Sequence, residues 1–309
     1  MIKVTLQISL APSDLKHIVH LLPHHLKVFE NQVDEILLTY DTHKSKGRFA
    51  INWEENNAKM WSFLQEFVME HPKIKLIKID YSRRKIKEIA QKYFNRLTIP
   101  AKDWRGGPFY TYFFGIHEAK NEYIFHLDSD MFFGGLSKKW MEEAVKLYKE
   151  DNSILFVNPL AGPPKSDGTL TNQKYFNYQN KPFYFGFDTM STRLFLVNKR
   201  RLTEHSIQNT FTTKIGEITR AIWRKNPPYK LPEEILSKHI VNNNYLRVDF
   251  MGKSPGLWSL HPPYRTAKFY QDLPTIIKKI ENNDVPESQK GFYDIVDELV
   301  DWSEAKKNI

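Results

Sequence analysis

The chain has 309 residues, of which 41% are hydrophobic and 14% aromatic, and it contains no cysteine. This apolar content supplies a large core and excludes disorder as the main state, while the lack of cysteine excludes disulfide scaffolds, Cys-type zinc sites, iron–sulfur centres and thiol nucleophiles. The 45 Lys and Arg against 36 Asp and Glu give a net charge of +9, which favours anionic partners such as phosphorylated molecules, nucleic acid or an acidic membrane surface.

Strand and helix patterns alternate through the first half of the chain. We predict strands at 3–10, 33–40, 73–81, 122–133 and 154–158, and helices at 14–29, 57–70, 84–94, 109–120 and 138–150. Pro23 should kink or interrupt the first helix, and the histidines of that helix (His17, His20, His24 and His25) are expected on its surface. The spacing predicts an α/β fold with a mostly parallel central sheet flanked by helices.

The second half has a looser pattern. Residues 159–185 are rich in turn formers and predict a long loop or a small excursion from the sheet. Strands are expected at 194–198 and 245–250, and helices at 232–242, 273–282 and 291–303. The last of these helices has an apolar face, so we expect the acidic C-terminal tail to pack on the body.

Residues 1–11 have no long apolar run and are typical of a strand rather than a signal peptide. No stretch reaches the ~18 apolar residues that a membrane span needs. We therefore expect a cytoplasmic protein without a transmembrane segment, with peripheral membrane contact left open. No long Lys/Arg run and no RNA-recognition pattern is present, so nucleic acid is not expected as a partner.

Two carboxylates follow a buried strand in the segment YIFHLDSDMFF. Asp128 and Asp130 flank Ser129, and bulky apolar residues resume at once. Carboxylates this close repel each other unless a cation compensates, and Mg²⁺ or Mn²⁺ binds one or two carboxylates together with substrate phosphates. The pattern predicts a metal–phosphate site, with an ordinary turn at a strand end as the alternative.

The order of these segments, with VDEILLTYDT followed by EAKNEYIFHLDSDMFF, resembles a GT-A fold glycosyltransferase of the family-2-like type. The resemblance is clear over about 2–160 and weaker to about 265. It implies a catalytic domain at 1–265, divided into a nucleotide-sugar-binding half at 1–160 and an acceptor half at 161–265, with a helical extension at 266–309. The implied reaction moves a sugar from a UDP- or GDP-sugar to a hydroxyl of a glycan, lipid-linked or small-molecule acceptor, using Mn²⁺ or Mg²⁺.

The resemblance also implies residue roles. Asp130 would ligate the metal on the diphosphate, Asp128 would lie toward the ribose or the metal, and Asp41 would face the base. Asp41 is followed by Thr-His-Lys rather than the more usual Gly/Ser-rich continuation. Gly106 and Gly107 would permit close backbone approach to the ligand, with simple loop geometry as the alternative. The remaining implied donor contacts are Leu10, Ala11, Pro12, Asp80, Arg84 and Ser129.

The sequence Pro232-Glu233-Glu234 resembles the acidic pair that starts a helix in this family. In inverting members the second acid takes a proton from the acceptor hydroxyl, which implies Glu234 as the base. Neighbouring residues on a helix point ~100° apart, so only one of the two acids should face the sugar. The ordinary preference for acids in first helical turns is the alternative.

His261 follows an apolar aromatic stretch and precedes two prolines. Since several enzymes of this fold use a late histidine as a metal ligand, the resemblance implies that role, with a structural role as the alternative. Arg265 and Lys268 would neutralise the diphosphate leaving group. We expect residues 255–268 either to close over the donor or to form a permanently packed connection.

Two other functions remain open from the sequence. One is a non-catalytic basic protein that binds nucleic acid or an anionic surface, and the other is a metal-dependent phosphoester hydrolase. The motifs G-x-x-x-x-G-K-[ST], G-x-G-x-x-G after the first strand, and G-x-S-x-G are absent. P-loop, dinucleotide-binding and α/β-hydrolase functions therefore lose their main support.

Overall fold

The computed structural model describes residues 3–44 and 50–307. The strands in these ranges are β1 Val4–Leu10, β2 Glu35–Tyr40, β3 Ile74–Lys78, β4 Tyr123–Asp128, β5 Phe132–Gly134, β6 Ile154–Ala161, β7 Phe176–Asn177, β8 Tyr184–Phe187, β9 Leu194–Asn198, β10 Leu246–Phe250 and β11 Trp258–Leu260. The α-helices are α1 Leu15–Phe29, α2 Trp53–Glu70, α3 Arg83–Phe94, α4 Tyr110–Glu118, α5 Trp140–Glu150, α6 Lys199–Leu202, α7 Ile215–Trp223, α8 Pro232–Asn242, α9 Ala267–Glu281 and α10 Ser303–Lys306.

The strands form one sheet in the order β3-β2-β1-β4-β9-β6-β10-β8-β7, with β11 attached to β6 and β5 attached to β11. The first four strands of this order are parallel. β9 runs antiparallel between β4 and β6, and β10 is parallel to β6. The carboxyl ends of β1, β2, β3, β4, β6 and β10 therefore meet at one edge, together with the amino end of β9. The predicted α/β fold with a mostly parallel sheet is confirmed.

Helices cover both faces of this sheet. Alternate residues of β2 enter different cores, since Ile36 and Leu38 pack with α1, α2 and α5, whereas Leu37 packs with α3, α4 and α8. Side chains of a strand alternate between faces, so strands buried on both faces have nearly continuous apolar sequences. This explains why the sequence pattern located the central strands well.

The C-terminal segment packs on the body. Phe269 and Leu273 of α9 share a buried cluster with Trp258, Ile295 and Trp302, and α9 also contacts α1 and β5. The division of the chain at 265/266 stays a prediction. No helix in the described ranges is long and apolar enough to cross a bilayer.

Several local predictions are wrong. α1 continues through Pro23 without interruption, and the predicted strand 122–133 is split into β4 and β5 by a turn at Ser129–Asp130. Residues 291–303 do not form the predicted helix but an irregular segment with turns, in which the Gln289 side chain bonds to Phe292 O, Asp294 O and Val296 N. Helix α7 was not predicted.

Three histidines of α1 are buried rather than exposed. His17, His24 and His25 are at most 2% exposed, and only His20 lies on the surface as expected. Each buried imidazole has a specific partner: His25 Nε2 lies 2.7 Å from Met131 O, and His24 Nδ1 lies 2.8 Å from Glu281 Oε1. These contacts tie α1 to β5 and α9, which explains why polar residues occupy the buried face of the helix.

Candidate active site

Polar side chains surround Asp41 at the ends of β2 and β3. Its carboxylate accepts hydrogen bonds from the Tyr81 hydroxyl at 3.0 Å and from the His43 backbone N–H at 2.8 Å, and Lys102 Nζ lies 3.4 Å away. Burial and the charge of Asp41 raise the pKa of Tyr81 well above its usual value. Asp80 accepts a bond from the Ser82 N–H at 2.7 Å and faces solvent. The predicted base-pocket acids therefore share one edge.

Arg84, Gly106 and Gly107, the other predicted donor contacts of this region, have different surroundings. Arg84 lies exposed on the first turn of α3. A Cβ on Gly107 would approach Asp103 Oδ2 to 2.6 Å, and one on Gly106, whose φ is +87°, would meet Asn226 at 2.8 Å. Asp103 also accepts the Gly107 N–H at 2.9 Å. A side chain at either position would collide with residues of the protein itself. Loop geometry, the alternative given above, therefore explains why both positions are glycine without invoking a ligand.

The end of β1 leads into an acid that sequence reasoning did not assign to the site. The backbone N–H of Ala11 donates to Asp14 Oδ2 at 2.9 Å, in the short 3-10 turn that Pro12 starts after Leu10. Burial raises the pKa of Asp14, opposed by the Ala11 N–H, the charge of Arg265 and the Ser129 hydroxyl. The only feature of Asp14 that the sequence shows is its position directly before a predicted helix, where acids commonly cap the helix.

Asp128 and Asp130 occupy different environments. Asp128 Oδ1 lies 3.5 Å from His126 Nε2, and 27% of the Asp128 side chain is exposed. Asp130 is 2% exposed and forms an ion pair with Arg265. Between them, the Ser129 hydroxyl lies 2.9 Å from His17 Nε2. The two carboxylates therefore have different partners rather than a common one.

His261 lies beside the buried carboxylate. Its Nε2 is 3.7 Å from Asp130 Oδ2, and its Nδ1 is 3.2 Å from Asp294 Oδ1. Burial lowers the pKa of His261, which favours the neutral imidazole that ligates metals. A metal-binding histidine commonly donates its other N–H to a carboxylate, and Asp294 is placed to accept it.

Asp130 and His261 thus fit a divalent cation that is shared with a diphosphate. Of the predicted metal ligands, Asp130 and His261 lie side by side, while Asp128 lies next to His126. No group of three His, Asp or Glu side chains in the described ranges is arranged to hold a metal ion, and the ligand set stays a prediction. Arg265 supplies the positive charge beside Asp130 in this structure.

The closing segment predicted at 255–268 is fixed in its first half. Trp258, Ser259 and Leu260 form β11, which pairs with β5 and β6 and is at most 2% exposed. Lys268 lies on α9, where its Nζ is 2.9 Å from Asp272. These contacts favour the packed connection for residues 258–260, whereas closure of the other residues over the donor stays a prediction. Arg265, not Lys268, reaches Asp130.

The start of α8 brings Glu233, rather than Glu234, toward the end of β4. The Thr192 side chain lies near both Glu233 and Tyr112, and both of these side chains lie within electrostatic reach of Asp128. Burial raises the pKa of Glu233, and the charge of Arg193 opposes that rise. Pro232 fixes the first helical position, and adjacent helical residues point ~100° apart. The contacts therefore favour the first acid of the pair, the reverse of the sequence prediction.

A cavity of about 310 Å³ lies beside these residues, at the ends of β6, β9 and β10. Its wall contains a buried ion pair in which Arg247 Nε lies 2.8 Å from Asp249 Oδ1. Three buried polar atoms of the lining have no hydrogen-bond partner in the described ranges: Asn158 Oδ1, Gln173 Nε2 and Ser191 Oγ. These polar residues and the Arg247–Asp249 pair make the lining suited to a ligand rich in hydroxyl groups.

Two residues join this cavity to the Asp128–Asp130 turn. Arg193 lines the cavity, and its carbonyl oxygen accepts the Asp128 N–H at 2.7 Å. Asp294 also lines the cavity and contacts His261. Sequence reasoning singled out neither of them, nor the Arg247–Asp249 pair, although two charges within the apolar strand YLRVDF were a usable signal.

Comparison with known proteins gives one family match. Residues 60–207 match the family described as "Glycosyl transferase family 2", which confirms the predicted resemblance. The matched segment contains the Asp128–Asp130 turn and ends before α8 and His261. No curated protein matches the chain.

Similar solved structures are remote in sequence. They include S. aureus TarS (13% identity, TM-score 0.45, covering 93% of this chain and 41% of that one) and S. aureus TarS 1-349 in complex with UDP (13%, 0.44, 93% and 68%). A third is the mannosyltransferase PcManGT from Pyrobaculum calidifontis in complex with GDP-Man and Mn²⁺ (10%, 0.44, 92% and 65%). The chain spans less than half the length of the first of these proteins.

Proposed function

We propose, from the premise that this chain carries a glycosyl transferase family 2 domain, that it transfers a sugar from a nucleotide-diphosphate sugar to an acceptor hydroxyl. The observation that carries the proposal is the convergence of the Asp128–Asp130 turn, the buried carboxylate Glu233 and the polar cavity at one sheet edge. Ligands of open α/β sheets bind at such an edge. A UDP- or GDP-sugar is the proposed donor, and a cytoplasmic location stays a prediction.

The nucleotide would lie over the ends of β1, β2 and β3. Asp41 and Lys102 offer an acceptor and a donor for the base, and the Tyr81 hydroxyl lies beside Asp41. The diphosphate would then reach Arg265, which is 39% exposed and whose planar guanidinium suits phosphate oxygens. This placement leaves the sugar between the Asp128–Asp130 turn and the cavity.

Mn²⁺ or Mg²⁺ at Asp130 and His261 would supply a Lewis acid that stabilises charge on the departing nucleoside diphosphate. Asp294 would hold the His261 imidazole through its Nδ1. Asp128 would remain outside the protein ligand set, facing the donor ribose. Arg265 would transfer its pairing from Asp130 to the phosphate oxygens.

Glu233 is the proposed base. Its carboxylate takes the proton of the acceptor hydroxyl while the acceptor oxygen attacks the anomeric carbon, and the bond from that carbon to the diphosphate oxygen breaks with its electron pair. The raised pKa of Glu233 brings this carboxylate closer to the proton affinity that a base needs near neutral pH. A single displacement of this kind inverts the configuration of the sugar.

The cavity would bind the acceptor. Its volume of about 310 Å³ is at the lower end of the range for small-molecule sites, about 300–1,000 Å³. The polar residues of the lining, among them Asn158, Gln173 and Ser191, would offer hydrogen bonds to sugar hydroxyls. We therefore propose a saccharide unit as the acceptor group that enters this site.

A ligand screen followed by product analysis tests the proposal. Melting temperatures are measured with UDP, GDP and ADP, each with Mn²⁺ or with EDTA, because a ligand that binds only the native state raises stability. UDP or GDP should raise the melting temperature more than ADP does. The matching sugar nucleotide should then yield a glycosylated acceptor. Phosphate release that needs no acceptor would instead support the hydrolase, and binding to polyanions alone would support the non-catalytic protein.

A further inference from the structure

Helix α7 presents apolar side chains to solvent. Ile215, Ile222 and Trp223 are 79%, 68% and 81% exposed, and Ala221 is the only buried residue of this helix. Ile215 and Ile222 are seven residues apart and so lie on one side of the helix. Large exposed apolar groups that cluster in this way mark an interaction site.

This helix is held in place by the rest of the protein. Residues 210–230 close into a neck, where the Lys230 N–H donates to Thr210 O at 3.1 Å and the Thr212 N–H donates to Pro228 O at 2.8 Å. The Trp104 N–H donates to Tyr229 O at 2.9 Å and fixes the neck to the body. These hydrogen bonds hold α7 in a fixed position on the protein, and its apolar face stays exposed on the surface.

The charged residues around α7 indicate which kind of partner its exposed face would bind. Arg220 and Arg224 are exposed, and Lys214 and Lys225 lie at the two ends of the helix. The single acid of the helix, Glu217, is paired with Lys214 at 3.3 Å. A short helix with Trp and Ile on one side and an excess of basic residues is typical of an element that lies in the interface of an anionic membrane.

We propose that α7 docks the chain on an anionic lipid bilayer. Ile215, Ile222 and Trp223 enter the headgroup boundary, and Arg220 and Arg224 contact lipid phosphates. Glu233 follows the neck by three residues, so docking brings the proposed acceptor side of the site close to the membrane. The docking itself does not depend on the proposed reaction.

Vesicle co-sedimentation of the full chain tests this proposal. Phosphatidylcholine vesicles are compared with vesicles that also contain phosphatidylglycerol, at low and high salt. The wild-type chain should bind only the anionic vesicles, and salt should weaken the binding. Arg220→Gln/Arg224→Gln should lower the partition coefficient about 25-fold, since each basic residue near the surface is worth about five-fold.

The apolar half is tested by Ile222→Ser/Trp223→Ser, with Met69→Ser/Val241→Ser as the matched control. All four residues are exposed, but Met69 and Val241 lie on α2 and α8. The test variant should lose vesicle binding at least ten-fold, while the control keeps it. Absent binding by the wild type, or equal binding by test and control variants, would overturn the proposal. So would a concentration-dependent dimer that only the test variant loses, since the face would then belong to a second copy.

Discussion

The assignment of Glu233 as the base rests on one contact, its proximity to Thr192. Replacing Glu233 is therefore the sharpest test of the assignment. Glu233→Gln keeps the size of the side chain and one oxygen near Thr192, but it removes the carboxylate that accepts the proton. A general base contributes roughly 10²–10⁴-fold, which equals about 2.7–5.4 kcal/mol of transition-state stabilisation. Turnover should fall by that factor, while the affinity for the nucleoside diphosphate stays nearly unchanged.

The matched control is Glu234→Gln, which makes the same chemical change one residue further along α8. Initial rates of acceptor glycosylation and calorimetric titration with the nucleoside diphosphate are measured for both variants. The wild-type rate should decline as the pH falls through the raised pKa of Glu233, because only the carboxylate form accepts the proton. A large loss of turnover in Glu234→Gln with normal turnover in Glu233→Gln would refute the assignment of Glu233. Normal turnover in both variants would show that another residue is the base.

Three further predictions follow from the same structure. Asp130→Asn should weaken Mn²⁺-dependent diphosphate binding in calorimetry, and equal affinity in a folded variant would contradict its role. Arg247→Met leaves Asp249 buried without its partner and should destabilise the fold by about 3–5 kcal/mol in urea titration, whereas exchanging both for Met and Leu should recover much of that loss. Burial lowers the pKa of His25 to about 3, so the unfolded chain binds the proton first and stability should fall as the pH drops below about 6.5; His25→Leu should flatten this dependence in thermal melts.

The parts of the fold that depend on local periodicity could be predicted from the sequence. The bounds of α8 and β9 agree with the structure because apolar spacing, Pro232 and the flanking turns all indicate the same limits. The segment 291–303 has helix-like apolar spacing too, yet its backbone is irregular and bonds to the Gln289 side chain. Side-chain bonds of this kind leave no trace in the apolar spacing, so the spacing could not reveal them.

Site residues that directly follow a strand could be predicted from the sequence. Site residues whose role depends on which way the side chain points could not. Asp128 and Asp130 follow from the exit of β4, and Asp41 from the exit of β2. The choice between Glu233 and Glu234 depends on how α8 is rotated against Thr192, which the sequence does not contain. Arg247 and Asp249 alternate along β10 as solvent-facing residues would, and only the sheet order buries them together.

The charge balance of the site gives a further reason to expect a divalent cation with the donor. The carboxylates of Asp14, Asp128, Asp130, Glu233 and Asp294 lie around the place proposed for the diphosphate, together with the guanidinium groups of Arg193 and Arg265. A diphosphate adds at least two negative charges, which repel these carboxylates unless a cation enters with it. Mn²⁺ would ligate Asp130 and free Arg265 for the phosphates, so metal and nucleotide should bind with positive coupling. Calorimetry of the nucleoside diphosphate across a Mn²⁺ series measures that coupling directly, and an affinity independent of Mn²⁺ would show that Arg265 and Arg193 balance the charge by themselves.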